Sequence, residues 1–196
     1  LRGAGVDEVL LRADLEGIAS TGLSQMPEGL EAELGVQDLA DLLAYLQGEG
    51  ITPRTLSGTE PRVVVPGEGG ELILAATYCE VFGPNLTFEA RHGNLGFWSG
   101  TDDLAVWSIE LGEGGTFEVE VEQASPDNPG PNVLVLGAAG QELAWTVEPT
   151  GSWDSYQRVP VGRLQLPAGR TLLTARAAEG LRGYLLDLRG VRLRPV

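Results

Sequence analysis

Lysine is missing from this 196-residue sequence; its 13 basic residues are all arginine, set against 28 acidic ones for a net charge of -15. Nothing supplies the basic, counterion-releasing face that a phosphate backbone requires, which argues against nucleic acid as a partner. The acidic residues are spread through the chain rather than run together, as on a solvated surface. A single cysteine, Cys79, rules out an internal disulfide and any multi-cysteine zinc site. Sitting in an apolar run, it reads as a buried thiol. His92 is the sole histidine, so any Ser-His or Cys-His scheme must pass through it, and in the polar stretch "EARHGNLG" it reads as a surface residue. No apolar run reaches the length of a membrane span, and the opening "LRGAGVDEVLLRADL" lacks the basic-then-apolar form of a signal peptide. Because the sequence opens at Leu1 directly in strand-like residues, we expect a piece of a longer polypeptide whose targeting signal lies upstream.

What is present suffices for a folded protein: 42% of the residues are hydrophobic and 21% charged, enough for one large domain or two small ones. Residues 1–48 read as short and largely helical. In "VQDLADLLAYLQ", Val36, Leu39, Ala40, Leu43 and Leu46 recur at three- and four-residue steps, and Gly48 ends the helix. Residues 49–64, including "EGITPRTLSGTEP", are polar with Gly and Pro and read as a linker. Residues 65–196 alternate between strand-like runs and turns such as "GEGG", "SPDNPGPN" and "LPAGR". In "TFEVEVE", Phe117, Val119 and Val121 fall on one face and Glu118, Glu120 and Glu122 on the other, as a strand with one wet face requires. The expected fold is mainly β, an antiparallel β-sandwich preceded by a small α-helical piece.

The only methionine, Met26, precedes Pro27 at a bend before the amphipathic helix. A thioether is a soft ligand suited to haem iron, although filling a gap in a small core is the commoner use of methionine. The stretch "STGLSQMPEGLEAELGVQDLADLLAYLQ" resembles the C-terminal end of planctomycete-type c-type cytochrome domains, in which Met-Pro precedes the last helix. That resemblance implies haem c as cofactor, Met26 as its distal axial ligand, Tyr45 and the helix leucines as packing, and a redox partner protein. Such domains attach haem through a Cys-x-x-Cys-His motif ahead of the methionine, which this sequence lacks. Either that half lies upstream or this is a decayed copy.

In the second part, "TGSWDSYQRVPVGRLQLPAGRTLLTARAAEGLRGYLLDLRGVRLRP" resembles the closing strands of carbohydrate-binding modules of the family 6 and 35 type, which are galactose-binding-like sandwiches. "DDLAVWSIELGEGGTFEVEVEQASP" is similar to their middle hairpin. The resemblance implies a polysaccharide or glycan partner. Sugars stack their C–H faces on aromatic rings while carboxylates read the hydroxyls. Trp98 in "GFWSGTDD" and Trp153 with Tyr156 in "GSWDSY" lie in turn-rich sequence beside Asp102, Asp103 and Asp154, which suits a sugar-reading loop end. The opposing reading makes Trp153 a plug at the end of the sandwich and Tyr156 a packing residue. Trp107 and Trp145 read as packing. By resemblance, Asp187 in "LLDLRG" occupies the family's late acidic position and implies a calcium ligand, with the rest of the ligand set incomplete.

No nucleophile with a base and no assignable acid pair is legible, so the chain is read as non-catalytic. The expectation is a secreted or periplasmic electron-transfer protein whose sandwich tethers it to a glycan. The rival is a structural or interaction module whose loop tryptophans anchor a partner protein.

Overall fold

The computed structural model describes residues 52–127 and 130–196, together with residues 2–3, 6–7, 35, 38–39 and 42–43. The chain divides into two compact units, Leu1–Ile51 and Thr52–Val196. In the first, β1 (Arg2–Gly3) pairs antiparallel with β2 (Val6–Asp7). Residues 38–39 and 42–43 are helical, as the leucine spacing predicts. The Asp38 carboxylate accepts the Gly35 N–H at 2.8 Å, and the Leu39 N–H bonds the Gly35 carbonyl at 3.0 Å. Met26 and Tyr45 lie outside the described residues.

The second unit is a sandwich of two sheets. One contains β3 (Val63–Val64), β5 (Glu80–Phe82), β8 (Leu104–Leu111), β10 (Val133–Ala138), β11 (Gln141–Thr146) and β13 (Gly169–Ala177). Its order runs β11-β10-β13-β8-β3, with β5 also pairing β8. The other contains β4 (Leu72–Ala75), β6 (Thr87–Glu89), β7 (Asn94–Gly96), β9 (Gly115–Ser125), β12 (Ser152–Leu166) and β14 (Asp187–Pro195). It runs β12-β9-β14-β7-β6, with β4 also pairing β14. All pairings are antiparallel except β3 with β8.

Alternation decides which face is buried. Phe117, Val119 and Val121 of β9 turn inward, as their spacing predicts. They meet Trp107, Ile109, Leu134, Leu136 and Leu173 within one core, each large side chain contributing roughly 1.5–3 kcal/mol of burial. The outward glutamates of β9 face arginines on both neighbours: Arg158 bonds Glu122 at 2.9 Å and Arg163 bonds Glu118 at 2.8 Å from β12, and Arg194 pairs with Glu120 from β14. Such cross-strand charge pairs hold register at little net energy.

Residues 52–64 correct the sequence reading, which made them linker. Arg54 bridges to Val81, and its guanidinium donates to the Leu86 and Gly83 carbonyls at 2.7 and 3.1 Å. Glu60 N–H bonds the Thr77 carbonyl at 2.6 Å, Leu56 packs on the core, and Val64 is buried. A polar stretch with Gly and Pro here satisfies its backbone by lying along the sandwich edge, a placement that periodicity cannot reveal.

Candidate functional site

At one end of the sandwich the β7–β8 loop, the start of β12 and the segment leading into β14 enclose a cleft of about 310 Å³. It is lined by Glu89, Phe97, Trp153, Tyr184 and Asp187. That volume is at the small end of the roughly 300–1,000 Å³ typical of small-molecule sites.

Each ring is held in place by a local feature of the chain. Phe97 stands between buried Gly96 and buried Trp98 and is 53% exposed. Its backbone sits at φ 58, a left-handed conformation unusual for a bulky residue and costing about 1–2 kcal/mol. Trp98 fixes that turn by donating its indole N–H to the Asp103 carbonyl at 3.1 Å and accepting the Leu185 N–H at 2.8 Å. Trp153 belongs to an irregularity in β12: residues 153–156 are opposed by Ala124 alone, because the pairing steps from Ser152–Ser125 to Gln157–Gln123. Bulges of this kind re-aim side chains. Tyr184 lies in a segment pinned by buried Asn132, whose amide nitrogen donates to the Arg182 and Tyr184 carbonyls at 2.9 and 3.0 Å. Tyr184 meets Phe97 edge-on at 6.2 Å and Trp153 edge-on at 6.3 Å.

The cleft's polar side is acidic. A methyl placed on Gly96 would run into a Glu89 carboxylate oxygen, the Asp187 Oδ1 at 2.9 Å and the Asn94 Nδ2 at 3.2 Å, so two carboxylates and an amide converge over a residue with no side chain. Asn94 donates to Glu89 at 2.9 Å, while its own Oδ1, fully buried, has no hydrogen-bond partner among the described residues. Burial, with the neighbouring charges of Glu89 and Asp154, pushes the Asp187 carboxyl up to about 7. Burial likewise pushes the Tyr156 hydroxyl up to about 12, aided by the Asp187 charge.

The structure redistributes the residues that the sequence grouped. Trp153 and Asp187 line the cleft. Trp98 and Asp103 are fully buried, which corrects their reading as sugar-contacting groups. The Asp103 carboxylate accepts backbone N–H groups from Asn85, Leu86, Ser99 and Gly100 at 2.9–3.3 Å and so ties two loops together. Asp102 is exposed on the same turn and does not line the cleft. Tyr156 stacks on the Arg189 guanidinium at 3.5 Å, beside the cleft rather than in it. Asp154 is 82% exposed and lies 3.8 Å from His92. Trp107 is core, and Trp145 packs partly buried against it. Cys79 is buried, its thiol bonded to the Ala76 carbonyl and pushed up to about 12 by burial.

Phe97, Tyr184 and Glu89 were missed. Phe97 was hidden by its tryptophan neighbour, and Tyr184 sits three residues before Asp187 in a run that reads as strand. Glu89 offers no signal at all. A calcium ion takes six to eight oxygen ligands. Among the described residues no group of three or more His, Cys, Asp or Glu side chains is placed to hold a metal ion.

No family model matches the sequence, and no curated protein matches it. Solved structures do match the sandwich. A family 35 carbohydrate-binding module from Clostridium thermocellum is similar over 64% of this chain and 98% of its own, at 11% identity and a TM-score of 0.53. Xyl-CBM35, solved in complex with a glucuronic-acid-containing disaccharide, is similar over 62% of this chain and 91% of its own, at 15% identity and a TM-score of 0.52. The Podospora anserina GH26-CBM35 β-(1,4)-mannanase matches over 66% of this chain at 15% identity and a TM-score of 0.52, but this chain spans only 28% of that enzyme. The fold of residues 52–196 is therefore that of family 35-like β-sandwich modules; at such identities the likeness extends to fold and not to site.

Proposed function

We propose that the Thr52–Val196 unit is a non-catalytic carbohydrate-binding module whose ligand seats on Phe97, Trp153 and Tyr184. The observation that carries this reading is the ring cluster over an acidic floor. Half-exposed aromatic faces suit the C–H face of a sugar, and Glu89 and Asp187 are placed to accept its hydroxyl protons. The neighbouring fold solved with a disaccharide supports the ligand class. The two carboxylates also raise a hydrolase reading, since Asp187 is held near neutral pKa. Both, however, point at one spot above Gly96, whereas glycoside cleavage needs carboxyls flanking the scissile bond. Phe97 and Tyr184, 53% and 50% exposed in the single chain, are in the state a sugar platform requires; burial against another protein would favour the interaction-module reading. Binding to a polysaccharide panel tests the proposal. Trp153→Ala and Tyr184→Ala are each expected to weaken binding about tenfold or more without lowering the melting temperature appreciably. Absence of any glycan binding, or binding indifferent to both changes, overturns it.

For the Leu1–Ile51 unit we infer the distal part of a c-type cytochrome domain in a secreted or periplasmic protein, with Met26 as haem ligand and the sandwich tethering the electron carrier. Met26-Pro27 ahead of a helix supports this, as do Leu39, Leu42 and Leu43, which are 40–49% exposed on that helix. The test is an absorption spectrum with intact mass of the protein from its natural source. A Soret band with a mass well above 20.7 kDa is expected; a haem-free protein overturns it.

A further inference from the structure

The cleft combines two features that together narrow its ligand. Its three rings form a box rather than a flat platform: Tyr184 stands edge-on to both Phe97 and Trp153, at 88° and 87°. Rings set at right angles around a small volume surround a cation with electron-rich faces, the arrangement that recognises ammonium groups. Behind the box lie the Glu89 and Asp187 carboxylates and no basic residue. Arg189, the nearest arginine in sequence to Asp187, is engaged by the Tyr156 ring, the His92 carbonyl and Glu122. A neutral sugar leaves the acid pair facing itself, and a uronic acid adds a third carboxylate to it.

Building on the carbohydrate reading above, we propose that the cleft selects a glycan bearing free amino groups, a glucosaminyl unit whose ammonium enters the aromatic box and pairs with Glu89 and Asp187. The ammonium then supplies three N–H donors. The two carboxylates accept them, with the Asn94 Nδ2 beside them already donating to Glu89 at 2.9 Å. A divalent cation is the poorer fit, because it takes six to eight oxygen ligands, whereas two of the cleft's lining residues are carboxylates and the other three are aromatic. Asp187, pushed up toward neutrality by burial and the charges of Glu89 and Asp154, would ionise as the cation arrives, so binding should release a proton to the buffer.

Titration calorimetry on the whole chain at a pH of about 6 tests this with three hexasaccharides of equal linkage: the glucosamine oligomer, its N-acetylated form and cellohexaose. The amine form is expected to bind about tenfold tighter than either neutral oligomer. Its affinity should fall several-fold between about 50 and about 500 mM salt while theirs stays level. Glu89→Gln and Asp187→Asn should erase the preference, bringing the amine form to the level of the neutral oligomers measured on the same variant. Should either variant fail to fold, the salt titration on the unaltered chain decides. Equal affinities, salt-independent binding of the amine form, or tightest binding to a glucuronate oligomer in the presence of calcium overturns the ammonium proposal and leaves the carbohydrate reading standing. No binding of any oligomer overturns both.

Discussion

Asp103, in the β7–β8 loop, and Asp187, at the start of β14, are the same residue type, yet they do opposite work. Asp103 is fully buried with four backbone N–H groups aimed at its oxygens. Those donors replace water, so its charge is fully compensated and the residue joins the β5–β6 connection to the β7–β8 loop. Asp187 is half-buried, accepts no hydrogen bond among the described residues, and faces Glu89 across the cleft. A carboxylate supplied with donors is architecture. One left without them favours its protonated form.

The sharpest way to break this comparison is Asp103→Ala, which strands four N–H groups in the loop. We expect a loss of about 4–5 kcal/mol, read by urea denaturation, a large share of a typical domain's stability. A loss below about 1 kcal/mol would mean that Asp103 is no keystone. Next come the two tryptophans that the sequence placed on equal terms. Trp98→Ala removes a fully buried ring and its hydrogen bond and should cost about 3–5 kcal/mol. Trp153→Ala should cost under about 1 kcal/mol while weakening glycan binding about tenfold or more, so melting curves and binding isotherms on the same samples should separate the pair. The last effect concerns Asp187 and is set by pH. Its folded pKa is raised to about 7, so the carboxyl favours folding while protonated, below its unfolded value near 4, and that contribution is lost as pH rises through about 7. Allowing for its solvent-facing part, Asp187→Asn should stabilise the chain by roughly 1–2 kcal/mol at a pH of about 8 and by almost nothing below about 4. A constant difference across that range would show that Asp187 is not the titrating group.

Much of the sandwich was legible before the structure. The Phe117–Glu122 alternation assigned β9 its buried and wet faces, because burial on one side of a pleated strand imposes a period of two. The 52–64 stretch was not legible, since its hold on the sheet edge runs through Arg54 and backbone groups that leave no hydrophobic pattern. In the site, aromatic residues near turns were a sound guide to Trp153 and misleading for Trp98. Composition cannot say whether a loop ring turns inward, and here the Trp98 ring is part of the core cluster, its indole N–H bonded to the Asp103 carbonyl. Glu89 and Asp187 lie 98 positions apart and meet only because β6, β7 and β14 are neighbours in one sheet.

The sequence by itself determined the mainly β character of the second unit, the lack of a basic face and the absence of any multi-cysteine chemistry. Those properties live in composition and short-range periodicity, which act before the chain closes on itself. Tertiary structure alone decided which rings face solvent, which carboxylates receive donors, and that Phe97, Trp153 and Tyr184 share one cleft with an acid pair. Each of those depends on strand neighbours far apart in sequence and on the bulge and strained turn that aim the side chains.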